Sequence, residues 1–199
     1  MTAIPLNRHS QSYPQTLVVG LGKTGLSCAR YLARQGVPVA VCDSRVSPPG
    51  LDDLTRELPA VPVFTGGFDD QVFAAAERIV VSPGVPVAEP HVRDAHERGV
   101  EVLGDIELFA REAAAPIVAI TGSNGKSTVT VLAGAMARAA GMHVAIGGNL
   151  GEPALDLLSP GVELYVLELS SFQLETAWSL CPEAAVVLNV SPDHMDRYE

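Results

Sequence analysis

Short apolar runs alternate along the chain with longer stretches in which apolar residues recur every three or four positions. Residues 16–20 read TLVVG, β-branched and too short for a helix, which predicts a buried strand. In TGLSCARYLARQG, Leu26, Ala29, Leu32 and Ala33 fall at helical spacing and Gly36 closes the helix. VPVAVCD, at 37–43, is the next strand and completes a βαβ unit. The rhythm continues with VPVFTG and RIVVSPG as strands, HVRDAHERG as a short helix, VEVLG as a strand and DIELFAREA as a helix. Strands alternating with helices predict the α/β class with an open, mostly parallel sheet.

The pattern breaks at AAAP, residues 113–116, and a second α/β run starts at Ile117. Its strands are IVAIT, HVAIGG, ELYVLEL and EAAVVLNV, with a long helix between the first two. The expected organisation is a loose N-terminus over 1–15, a first α/β domain over 16–115 and a second over 116–199. Four strands with few helices make the second domain thin.

Composition narrows the function. With 199 residues, 47% of them hydrophobic, the chain can fill one large domain or two small ones. A net charge of -10 argues against non-specific nucleic-acid binding, which needs a cationic footprint. Small anions stay open, because one loop can bind phosphate against the overall charge. Cys28, Cys42 and Cys181 are expected as reduced core residues. No apolar run approaches ~20 residues and the first fifteen lack a signal-peptide core, which predicts a cytoplasmic protein without a membrane segment.

Two glycine loops carry the candidate chemistry. GLGKTG, from Gly20 to Gly25, fits G-x-G-x-x-G between a strand and a helix, and Asp43 ends the second strand at the expected distance. Asp43, Ser44 and Arg45 can hold a ribose or a base edge, and Ser82 and Gly84 of SPG end a later strand at the same sheet edge. The competing readings are a ligand-free turn, a solvated loop and a proline turn. Taken alone, this half suggests an NAD(P)-dependent oxidoreductase.

The second loop is TGSNGKST, with Gly122, Ser123, Asn124 and Gly125 ahead of Lys126, Ser127 and Thr128. Lysine there can reach the β- and γ-phosphates of a nucleotide, and the serine hydroxyl can ligate Mg²⁺. The usual pattern wants a glycine at position 120, where Ile120 stands. Glu168 ends a strand after Tyr165, Val166 and Leu167, so it emerges at the sheet edge as a metal-side carboxylate; the alternative is an acid ahead of the next helix, which Ser170 and Ser171 would cap. His194, between Asp193 and Asp196, is a candidate second metal ligand; the alternative is a structural or solvated histidine.

GLGKTGLSCARYLA, SPGV, GDIELFARE, PIVAITGSNGKSTVT, GGNLG, LYVLELSSFQLE and LNVSPDHMDRY together resemble the Mur ligases. DIELF and LELSSFQLE resemble the branch that adds D-glutamate to UDP-N-acetylmuramoyl-L-alanine. The resemblance implies a Rossmann-like parallel-sheet N-terminal domain followed by a truncated P-loop-type α/β ATP-binding domain. It implies ATP and Mg²⁺ as cofactors, an acyl-phosphate intermediate and a monomer. Lys126 and the loop N–H groups would hold ATP, Ser127 and Glu168 a first Mg²⁺, and His194 a second. Lys126, Glu168 and His194 are the implied catalytic set. Asn149 and Gln173 would touch the muramoyl part of the substrate, and Thr24, Asp43, Ser44, Arg45, Ser82 and Gly84 the UDP part. Family members are more than twice this length, so the chain is expected to be an N-terminal portion without turnover of its own. The alternatives are an oxidoreductase and a non-catalytic UDP-sugar binding fragment.

Overall fold

The computed structural model describes residues 15–192. Two parallel sheets form, and strand alternation decides how they stack. In the first half, β1 (Thr16–Val19), β2 (Val39–Asp43), β3 (Val63–Thr65), β4 (Arg78–Val81) and β5 (Glu101–Leu103) make a sheet ordered β3-β2-β1-β4-β5. In the second half, β6 (Ile117–Thr121), β7 (Val144–Gly148), β8 (Leu164–Glu168) and β9 (Ala184–Val187) are ordered β7-β8-β6-β9. Every pairing is parallel.

Successive strand residues point to opposite faces. Val18, Val39, Val41, Val80 and Leu103 of the first sheet therefore share a core with Ile117, Ala119, Tyr165 and Leu167 of the second. Between the sheets lie α1 (Lys23–Arg34), α5 (Asp105–Glu112) and a short 3-10 helix at Ala154–Leu157. Phe109 of α5 is fully buried and meets Tyr165 of β8 edge-to-face, with ring centroids 5.0 Å apart. The outer face of the first sheet, through Leu17, Val19, Ala40, Ile79 and Val81, packs on α3 (Asp70–Ala75) and α4 (Pro90–Glu97). The outer face of the second, through Ile120 and Val166, packs on α6 (Lys126–Ala139).

The strands and helices expected from the pattern are present, with shorter bounds. β2 begins at Val39 because Pro38 has no N–H to give to a ladder. Gly36, at φ 72°, follows the end of α1 as expected. Three elements were not anticipated: α2 (Leu51–Glu57), α3 and the 3-10 helix. Each spans two turns or fewer, too short for a helical period to show.

Two expectations need correction. Cys28 and Cys42 are buried, but Cys181 is exposed. It precedes Pro182 in the segment leading to β9, outside any strand or helix. β9 is shorter than the run EAAVVLNV suggested, and all four of its residues are exposed at one edge of the sheet. The loose N-terminus expected over 1–15 falls almost wholly outside the described residues. No described helix is long and apolar enough to cross a membrane.

Phe109→Ala should lower unfolding stability by about 3–5 kcal/mol in urea titrations, because it empties the layer shared by both sheets. Leu132→Ala, at 57% exposure on the outside of α6, should change stability by less than about 0.5 kcal/mol.

Candidate functional site

In the first sheet the chain leaves β1 toward β2 on one side, while β4 leads to β5 on the other. The loops after β1 and β4 thus diverge and open a crevice at the carboxyl edge. A cavity of about 520 Å³ lies there, and its far wall is the loop after β7. The structure brings Thr24, Asp43, Ser44, Arg45, Ser82, Gly84, Asn149 and Gln173 to this one cavity.

The glycines build its floor. Gly20 turns at φ 94°, and a side chain at Gly25 would run into the Gly20 carbonyl oxygen. A side chain at Gly22 would meet no neighbour, so its glycine leaves room in the cavity. The Ser82 hydroxyl donates to the Gly20 carbonyl at 2.7 Å and ties the β4 loop to the β1 loop.

Asp43 supports the site from beneath. It is 2% exposed; its Oδ2 accepts the Leu21 N–H at 2.7 Å and its Oδ1 the Arg45 N–H at 2.9 Å. The Arg45 guanidinium donates to both oxygens, Nε at 2.8 Å and Nη2 at 2.7 Å. Burial alone would push this carboxyl up. The Arg45 guanidinium and the two N–H donors outweigh burial and hold it at about 2. Ser44 and Arg45 are the exposed members of the trio.

Gln173 lies in α7 (Ser171–Leu174), whose N-terminus is closed by a capping box with Ser170. Its Nε2 donates to Asp105 Oδ2 at 2.9 Å, across the join between the two halves. Asp105 is 1% exposed and its Oδ1 has no hydrogen-bond partner. Burial raises its carboxyl to about 6, against the lowering pull of Gln173 and the N–H groups at the start of α5.

The second loop surrounds a smaller cavity of about 350 Å³, lined by Gly122, Ser123 and Lys126. Ile120 belongs to β6, where it is 1% exposed and in register with Glu168. A glycine there would empty core, so the turn starts later, at Gly122, with φ 137°. A Cβ at Gly122 would lie 3.1 Å from the Asn189 backbone. Gly125, at φ 84°, is the residue before α6, and Thr128 is exposed in its first turn. Lys126 Nζ folds back onto the Gly122 carbonyl at 2.7 Å and the Ser123 carbonyl at 3.2 Å.

Glu168 faces α6 because it shares strand parity with Leu164 and Val166, which pack on that helix. It is 3% exposed; its Oε2 accepts from the Ser127 hydroxyl and its Oε1 from Asn149 Nδ2, both at 2.7 Å. Ser127 and Glu168 thus form an oxygen-only donor pair of the kind that hard divalent cations take. Among the described residues, no three His, Cys, Asp or Glu side chains gather as a metal site. His194 lies outside the described residues. Asn149 lines both cavities and is their common wall.

Sequence reasoning missed Asn189 and Lys23. Asn189 Oδ1 accepts the Asn124 N–H at 2.8 Å, its Nδ2 donates to the Asn124 carbonyl at 2.9 Å, and its carbonyl accepts the Ser123 N–H at 3.0 Å. Asn189 thus holds the second loop together with Ser191, whose carbonyl accepts from the Ser123 hydroxyl and whose N–H donates to it. Its position just past β9 became meaningful only once β9 was found beside β6. Lys23 reaches from α1 to the loop after β7.

Comparisons with known proteins find matches to both halves of the chain. Residues 14–104 match the family described as Mur ligase MurD-like, N-terminal domain, and residues 120–199 match the Mur ligase middle domain. The chain is 63% identical over 184 residues to a UDP-N-acetylmuramoylalanine--D-glutamate ligase of Marinobacter nauticus, with 92% of this chain covered and 41% of the relative. It is 60% identical over 182 residues to the protein of that name from Pseudomonas syringae pv. syringae, with the same coverage of 92% and 41%. The chain therefore spans about two fifths of the length of these relatives. A solved murein peptide ligase from Psychrobacter arcticus superposes with a TM-score of 0.55 at 18% identity, covering 92% of this chain and 44% of that one. A UDP-N-acetylmuramate:L-alanyl-gamma-D-glutamyl-meso-diaminopimelate ligase from Neisseria meningitides gives 0.56 at 18%, covering 94% and 63%. At these identities the structures speak for the fold alone.

Two buried carboxyls should leave opposite marks on stability against pH. Asp43, lowered to about 2, contributes stability that is present above the unfolded value near 4 and lost as pH falls through about 2. Asp43→Asn should flatten that acid limb in chemical denaturation. Asp105, raised to about 6, contributes stability present below about pH 4 and lost as pH rises through about 6. Asp105→Asn should flatten that decline.

Proposed function

Because the chain belongs to the Mur ligase family, carrying its N-terminal and middle domains, we propose that it forms the UDP-substrate and ATP sites of a ligase. That ligase joins D-glutamate to UDP-N-acetylmuramoyl-L-alanine in peptidoglycan precursor synthesis. Residues 16–115 are then a Rossmann-like UDP-binding domain, and residues 116–199 the beginning of a P-loop-type ATP-binding domain. The observation that carries the reading is the pair of cavities, each at the carboxyl edge of its own parallel sheet, separated by Asn149.

In this reading the UDP part lies over Gly22 and between the Arg45 and Ser82 loops, and the L-alanyl carboxylate points past Asn149 and Gln173 toward the second cavity. ATP phosphates occupy the loop at 122–128. Lys126, now on two backbone carbonyls, exchanges them for phosphate oxygens and follows the charge that builds during transfer. A carboxylate oxygen attacks the terminal phosphorus, and the bond to ADP breaks to give an acyl phosphate. The D-glutamate amine then attacks the acyl carbon, and phosphate leaves as the amide forms.

The donor chemistry at Ser127 and Glu168 fits Mg²⁺. Bound there, Mg²⁺ would neutralise phosphate charge. Glu168 would release the Ser127 proton donor for that purpose while still accepting from Asn149. The chain's own contribution is placement, holding the carboxylate and phosphate sites on two sheets that share one core.

Calorimetric titration of this chain with UDP-N-acetylmuramoyl-L-alanine, beside NADPH, tests the first cavity. Saturable binding of the UDP compound and none of NADPH is expected; the reverse result would overturn the ligase reading in favour of a nicotinamide enzyme. For the second cavity, Lys126→Ala should weaken ATP–Mg²⁺ binding at least about tenfold while leaving the UDP compound's affinity unchanged.

A further inference from the structure

Charge bookkeeping in the first cavity leaves one residue unexplained. Its charged lining residues are Lys23, Asp43 and Arg45. Asp43 and Arg45 are committed to each other through both carboxylate oxygens, so together they present little net charge to a ligand. The chain as a whole carries -10 and repels a polyanion at long range. A local cation would add to the loop N–H groups in holding a diphosphate, and in this cavity that leaves Lys23.

Lys23 is the first residue of α1, directly after Gly22, whose missing side chain leaves space over the loop. Its ammonium donates to the Gly151 carbonyl at 2.6 Å. Glu152 lies 3.7 Å away, and both side chains of that ion pair are 64% exposed. An exposed pair at that separation holds weakly. An ammonium has three donors, so the Gly151 contact leaves others for a ligand.

We infer that Lys23 is the phosphate-facing cation of the first cavity, and that Glu152 competes with the bound diphosphate for it. This rests on the reading of that cavity as a UDP site. With the diphosphate absent, Lys23 straps the glycine loop of the first half to the 151–152 segment of the second. With the diphosphate bound, the ammonium turns to the phosphate oxygens. Gly151 can stay within its reach, so the loop that carries Asn149 remains attached while the anion is held.

The sign of two substitutions separates this from a plain structural strap. A strap predicts that losing either Lys23 or Glu152 loosens the cavity and weakens binding. Competition predicts opposite effects. The 199-residue chain and its variants are titrated calorimetrically with UDP and, separately, with uridine. Lys23→Met should weaken UDP about tenfold and leave uridine unchanged. Glu152→Gln should tighten UDP about threefold. Arg34→Met, an equal loss of charge on the same helix outside this cavity, should alter UDP binding by less than about twofold. Wild-type affinity for UDP in Lys23→Met, or weaker binding in both Lys23→Met and Glu152→Gln, overturns the inference while the UDP site stands. If the wild-type chain binds neither UDP nor uridine, the site reading falls and the inference with it.

Discussion

The apolar layer gripped between the two sheets is the constraint on which the rest depends. Val18, Val41 and Val80 press on it from one side, and Ala119, Tyr165 and Leu167 from the other, with α1, α5 and the 3-10 helix between them. The first cavity takes its walls from both halves, whereas the second is lined by residues of the second half alone. Because interiors are close-packed, a shared layer fixes the separation of the two carboxyl edges far better than a linker would. Polar contacts refine the join. Asp105 takes the Gln173 amide, Glu107 accepts the Trp178 and Ser179 N–H groups, and a side chain at Gly104 would collide with Thr176.

Electrostatics in this acidic chain are local. Asp43 spends both oxygens on the Leu21 and Arg45 donors, which stiffens the first loop and displays Arg45 at its rim. Asn189 does comparable work for the second loop through three contacts to residues 123 and 124. In both loops a polar side chain from a neighbouring strand end satisfies the loop's own backbone. The loops are thereby held in place by contacts within the chain.

The outer side of the second half is less complete. Val131, Leu132 and Met136 are exposed on α6, as are Val186 and Val187 on the edge strand β9. An apolar edge strand is a route to association between chains, so the protein should be handled with that in mind. The layer between the sheets shows no such exposure.

The sequence by itself determined the type of most elements, the two glycine loops and many of the residues that line the two cavities. Short apolar, β-branched runs marked the strands, helical spacing marked α1, and residue chemistry singled out Asp43, Lys126, Ser127 and Glu168. These are local properties, written into neighbouring positions. Tertiary structure alone decided what those residues meet. Strand order brought Asn189 to the second loop, strand parity turned Glu168 toward Ser127, and the shared core set Lys23 of the first half against Gly151 of the second. It also placed Cys181 on the surface, where local pattern had suggested core. Such meetings join residues 41 to 128 positions apart, and periodicity within a segment carries no information about which segment will lie beside it.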